Sequence, residues 1–171
     1  MKQLYLIGFM GSGKTTVGRS IKEQYGIDYI DLDEAIESRL HKRIVDIFKE
    51  EGEGAFRTYE TETLKALKTT PIIATGGGII ERSENISYMK ENGIIIYLKT
   101  SFNTIKLRLT RDQSRPLWKD EKQNKALFDK RNKIYEHAAD YIVHCDNRST
   151  KEILEEIVSL YRYKGILDSE D

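Results

Sequence analysis

Eight residues near the start of the chain, Gly8-Phe9-Met10-Gly11-Ser12-Gly13-Lys14-Thr15, have the types and spacing of G-x-x-x-x-G-K-[ST]. Glycines let consecutive backbone N–H groups, those of Gly11, Ser12 and Gly13 among them, curl around phosphate oxygens, and the helix that follows adds about half a positive charge at its N-terminus. Lys14 can then reach the β- and γ-phosphates as a compact cation. The Thr15 hydroxyl suits Mg²⁺, with Thr16 next to it on the phosphate side. The expected ligand is a nucleoside triphosphate with Mg²⁺.

The next carboxylates, Asp31 and Asp33, end the second apolar run, where ligands gather in open α/β sheets. Residues two apart in an extended chain face the same way, so one can orient Mg²⁺ and the other a substrate hydroxyl. A structural reading also fits: Asp33 caps the following helix and Asp31 is exposed. Thr75-Gly76-Gly77-Gly78 ends the third run, and three glycines leave bare backbone where something must come close. Arg57 lies one helical turn from Glu60, close enough for an ion pair that fixes the guanidinium, although such a pair also suits a plain surface. The two Asn-Lys pairs continue as Ala126-Leu127 and Ile134-Tyr135, so neither is the Asn-Lys-x-Asp guanine reader of a regulatory GTPase. His41, His137 and His144 have no metal-ligand spacing.

Short apolar runs at 4–7, 29–30, 72–74, 94–98 and 141–143 alternate with helix-length segments, which predicts a mostly parallel sheet wrapped by helices. Ile94-Ile95-Ile96-Tyr97-Leu98 reads as a strand buried on both faces. Asn92-Gly93 is expected to stop the preceding helix in the left-handed conformation, and Ser149-Thr150-Lys151-Glu152 to open the last helix as a capping box, through about Tyr161. Residues 33–67 hold apolar positions for two or three helices, broken at Glu51-Gly52-Glu53-Gly54. Residues 111–122, charged and containing Pro116, read as a long surface loop of the kind that serves as a lid.

At 171 residues the chain is expected to be one domain, with a frayed acidic tail over about 165–171. Its 28 basic and 28 acidic residues give a formal net charge of +0, so no nucleic-acid or membrane partner is expected. The single cysteine, Cys145, and a start with no signal peptide point to a reducing compartment, the cytoplasm.

The P-loop, Asp31-Leu32-Asp33, Phe56-Arg57 followed by Glu60, Gly76-Gly77-Gly78, Arg115-Pro116-Leu117 and Arg131-x-x-x-Tyr135, in this order over nearly the whole chain, resemble the shikimate kinase family. The resemblance implies a nucleoside-monophosphate-kinase-like fold: a five-stranded parallel sheet in the order 2-3-1-4-5, a substrate-binding helical insertion (about 33–67) and a closing lid (about 111–122). It implies transfer of the γ-phosphoryl of ATP to the 3-hydroxyl of shikimate, with Mg²⁺ as cofactor, and a monomer is expected. Matched position by position, it gives Asp33, Gly77 and Gly78 to the shikimate hydroxyls and their surroundings, and Arg57 and Arg131 to the carboxylate. Arg115 matches the lid arginine that reaches the phosphates, Asp31 the Mg²⁺-side carboxylate, and Arg108, Arg111 and Arg148 the adenine side. The rival readings are a kinase for another small hydroxy acid or a nucleoside monophosphate, and a nucleotide-binding relative without turnover.

Overall fold

Alternation along the first strand sets the layers. In β1 (Gln3–Ile7), Tyr5 and Ile7 enter one apolar cluster while Leu4 and Leu6 enter another, so the strand is buried on both faces. The computed structural model describes residues 2–111 and 120–167. In it, β2 (Tyr29–Asp31), β3 (Ile72–Ala74), β4 (Gly93–Lys99) and β5 (Tyr141–His144) join β1 in one parallel sheet of order β2-β3-β1-β4-β5.

Helix α1 (Lys14–Tyr25) places Val17 and Ile21 in the cluster that holds Leu4 and Leu6. The insertion resolves into α2 (Leu32–Leu40), α3 (Ile44–Glu51) and α4 (Glu53–Ala66), which bury Ile36, Ile47 and Phe56 against the opposite face. Gly52 breaks α3 from α4 at φ 88, a left-handed position that an L side chain adopts only with strain. A 3-10 turn, Ile79–Glu81, leads into α5 (Ser83–Asn92), and α6 (Phe102–Arg111), α7 (Glu121–Ala138) and α8 (Thr150–Leu167) complete the wrap. Among the described residues no helix is long and apolar enough to cross a membrane.

Three local expectations change. Gly93 is extended, at φ 177, rather than left-handed, because it pairs with Gln3 as the first residue of β4. A Cβ there would collide with the Gln3 carbonyl, so close strand approach is what demands glycine. Both ends of the stretch 111–122 are taken up by helices and their caps. Arg111 closes α6, and Asp120 caps α7 by accepting hydrogen bonds from the Lys122 and Gln123 amides. At the other end, Ser149 accepts from the Glu152 amide as the capping box predicts, but α8 runs past Tyr161 to Leu167.

Candidate active site

The strand order brings three loops to one edge. In register, Asp31 of β2 lies beside Ala74 of β3, and Ala74 beside Leu6 of β1, so the chain leaving each strand enters the same cleft. Thr75 fastens two of these exits: its amide and its hydroxyl both donate to the Leu6 carbonyl, at 3.0 and 2.8 Å. The cleft has a volume of about 1070 Å³ and is lined by the P-loop, Asp31, Asp33, Gly76 and Gly77.

Gly11 (φ 79) and Gly13 (φ 98) take left-handed backbone that the phosphate-cradle turn needs and that side chains resist. Helix α1 starts directly after Gly13 with no acidic residue in its first turn, so its positive end stays available to an anion. Lys14 is buried, and its ammonium donates to the carbonyls of Gly8 and of Phe9, the latter at 3.0 Å. The Thr15 hydroxyl donates to Asp31 Oδ2 at 2.5 Å.

Asp31, not Asp33, is the helix cap: its Oδ1 accepts from the Glu34 amide at 3.1 Å. Because α2 begins at Leu32, the two aspartates are not related by strand alternation, yet both line the cleft. Asp33 Oδ1 is buried without a hydrogen-bond partner. Burial, with Asp31 and Glu60 close by, pushes the Asp33 carboxyl up to about 7, against the opposing pull of Lys14.

The triple glycine is the meeting point of the remaining residues. A methyl group on Gly76 would lie 2.9 Å from Asp33 Oδ1 and 3.4 Å from Glu60 Oε2. On Gly77 it would lie 3.4 Å from Arg131 Nη1, and on Gly78 it would overlap the Arg57 guanidinium. Arg57 donates to Glu60 Oε1 at 3.0 Å, and Glu60 is buried with its Oε2 unpartnered. Burial raises the Glu60 carboxyl while Arg57 holds it down. Arg131 donates from Nε to Glu81 Oε1 at 3.0 Å, and the Tyr135 hydroxyl donates to the Gly77 carbonyl at 2.5 Å.

Asp33, Arg57 and Arg131, far apart in the chain, thus surround residues 76–78. Ser12, Thr16 and Arg108 also line the cleft, with Arg108 Nη1 donating to the Gly11 carbonyl at 3.0 Å. Arg111 is exposed at the end of α6 and is not among the described residues that line the cleft. Arg148 is engaged with Glu156 at 2.6 Å, next to the cleft-lining Cys145 and Thr150. Arg115 lies outside the described residues. Glu81 carries no local signal in the sequence, and the part played by Tyr135 is signalled there only by its spacing of one turn after Arg131.

The shikimate kinase family model matches residues 10–162. The chain belongs to the shikimate kinase family. A Bacillus cereus (strain AH187) shikimate kinase is 46% identical over 162 residues, covering 92% of this chain and 96% of that protein. Among solved structures, the shikimate kinase from Acinetobacter baumannii in complex with shikimate superposes with a TM-score of 0.85 at 34% identity, covering 96% of this chain and 94% of that one. The enzyme from Aquifex aeolicus vf5 gives 0.81 at 34% identity, with 96% and 98% covered. The sheet order and P-loop are those of the nucleoside-monophosphate-kinase-like fold that the family uses.

Proposed function

We propose that the chain transfers the γ-phosphoryl group of ATP to the 3-hydroxyl of shikimate, giving shikimate 3-phosphate and ADP, in the route to chorismate and the aromatic amino acids. As a member of the shikimate kinase family it is an ATP-dependent phosphotransferase acting on shikimate. The observation that carries the reading at the level of residues is the convergence of Asp33, Arg57 and Arg131 on the glycine loop at the mouth of the P-loop cleft.

Phosphoryl transfer has a loose transition state, so positioning and charge neutralisation outweigh proton abstraction. In this reading Lys14 and the α1 amides hold the phosphates, and Arg108, with Arg111 and Arg148, belongs to the nucleotide side. Arg115 would reach the phosphates from a lid over about 111–122. Asp33 orients the acceptor hydroxyl and then takes its proton, while Arg57 and Arg131 grip the substrate carboxylate as planar forks. Gly77 and Gly78 let the substrate and Arg57 come against bare backbone.

Mg²⁺ fits the pair of hard oxygens at Thr15 and Asp31, since it takes one or two protein ligands beside substrate phosphates and keeps its waters. Bound there, it would supply neutralisation of phosphate charge. The chain is read as a monomer of a single domain, its substrate side formed by residues 33–67.

The test is ADP release with ATP and Mg²⁺, with and without shikimate, beside gluconate and nucleoside monophosphates as acceptors. Stimulation by shikimate with its phosphorylated product seen by mass is the expected result; stimulation by another acceptor instead overturns the assignment.

Two variants probe the carboxylate grip. Arg57→Lys keeps charge but loses the fork, and should raise the KM for shikimate about tenfold with the KM for ATP within about twofold. Gly78→Ala places a methyl on the Arg57 guanidinium and should shift the same constant in the same direction. Equal rises in both KM values for either variant would remove Arg57 from the substrate site.

A further inference from the structure

Two arginines flank the glycine loop, and each is held by a carboxylate of different origin. Arg57 pairs with Glu60 on its own helix, three residues on, whereas Arg131 pairs with Glu81, 50 positions earlier in the chain. Glu81 closes the 3-10 turn that follows the triple glycine, and its main-chain N–H donates to the Gly78 carbonyl at 3.0 Å. Its side chain accepts from Arg131 Nε at 3.0 Å. One residue therefore bonds both the loop against which Arg57 packs and the guanidinium of Arg131.

The geometry of that grip matters. With Nε engaged, the opposite edge of the guanidinium is turned to the loop, where Nη1 lies 3.4 Å from the place a Gly77 methyl would occupy. Tyr135, one turn further along α7, donates to the Gly77 carbonyl at 2.5 Å and so fixes the same stretch of loop to the same helix. The Arg131 and Glu81 side chains are 10% and 27% exposed, against 50% and 55% for the Lys125–Asp129 pair on α7. Solvent screening that makes surface pairs worth little is correspondingly weaker here.

We propose that Glu81 is a positioning residue for the substrate carboxylate: it holds Arg131 by its Nε edge so that the Nη edge is presented to the ligand over Gly77. A guanidinium on a free stem samples many rotamers, and a planar fork is effective only when its plane is set in advance. Glu81 sets that plane, and its tie to Gly78 keeps the two arginines in a constant relation. This inference rests on the reading of the site as a shikimate site.

Calorimetric titration of shikimate and steady-state kinetics on wild type, Glu81→Ala and Glu81→Gln test it. Glu81→Ala should raise the shikimate Kd and KM about tenfold, with the ATP KM, and kcat at saturating shikimate, within about twofold of wild type. Glu81→Gln keeps an oxygen acceptor for Nε and should recover most of the loss. In an Arg131→Lys background, Glu81→Ala should add less than about twofold, because its effect runs through the guanidinium. Wild type that fails to bind shikimate overturns the site reading and this inference with it. Wild type that binds, with Glu81→Ala unchanged, or with both KM values raised alike, or with Glu81→Gln as impaired as Glu81→Ala, overturns the role of Glu81 alone.

Discussion

Asp33→Asn should lower kcat by about 10²–10⁴-fold, the range of a lost general base, while raising thermal stability above pH 7. Both effects have one cause. The Asp33 carboxyl is shielded from water by burial and, to a lesser extent, crowded by Asp31 and Glu60, which lifts it from 3.8 to about 7. A carboxyl raised in the folded state contributes stability that is fully present below its unfolded value near 4 and is lost as pH rises through 7. At pH 8 the folded wild type therefore carries a poorly solvated charge at a cost of up to a few kcal/mol. Asparagine cannot ionise, so melting curves at pH 8 should place Asp33→Asn several degrees above wild type, with the gap closing toward pH 4. For wild type, kcat/KM should fall as pH drops below about 7, since the protonated carboxyl cannot accept the hydroxyl proton. A variant with full kcat, or one with no stability gain at pH 8, would remove Asp33 from the reaction or from its crowded environment, respectively.

Lys14→Met should cost about 10²–10³-fold in kcat with shikimate affinity intact, the scale of removing one preorganised charge from developing phosphate charge. Met keeps the length and apolar stem of the buried side chain, so the fold should survive; what goes is the ammonium now bonded to the Gly8 and Phe9 carbonyls. Turnover assays, with shikimate titrations on the same preparation, separate the two effects. Retention of kcat within about threefold would mean that the α1 amides and the metal neutralise the phosphates without the lysine.

The P-loop was legible because its chemistry is contiguous: eight residues make the turn, and Gly11 and Gly13 need their left-handed angles whatever packs around them. The strands were legible for a similar reason, since Ile94 to Leu98 has no polar residue to offer solvent and β4 is paired on both edges. Where a local rule had two outlets, the sheet chose. Gly93 could have ended a helix in the left-handed region, but pairing with Gln3 holds it extended, and the cap of α2 fell to Asp31 because the helix starts at Leu32, two residues earlier than a cap at Asp33 would need.

Residue types and order alone determined a phosphate-binding P-loop on a parallel sheet, and the shikimate kinase resemblance, because those signals reside in short segments and their succession. Tertiary structure decided which charges share a site. Glu81 reaches Arg131 across 50 positions, Glu60 sits fully buried beside Asp33, and Arg148 turns to Glu156 on α8. Such pairings depend on register, burial and the distance between side chains on separate elements, quantities that a one-dimensional pattern does not contain.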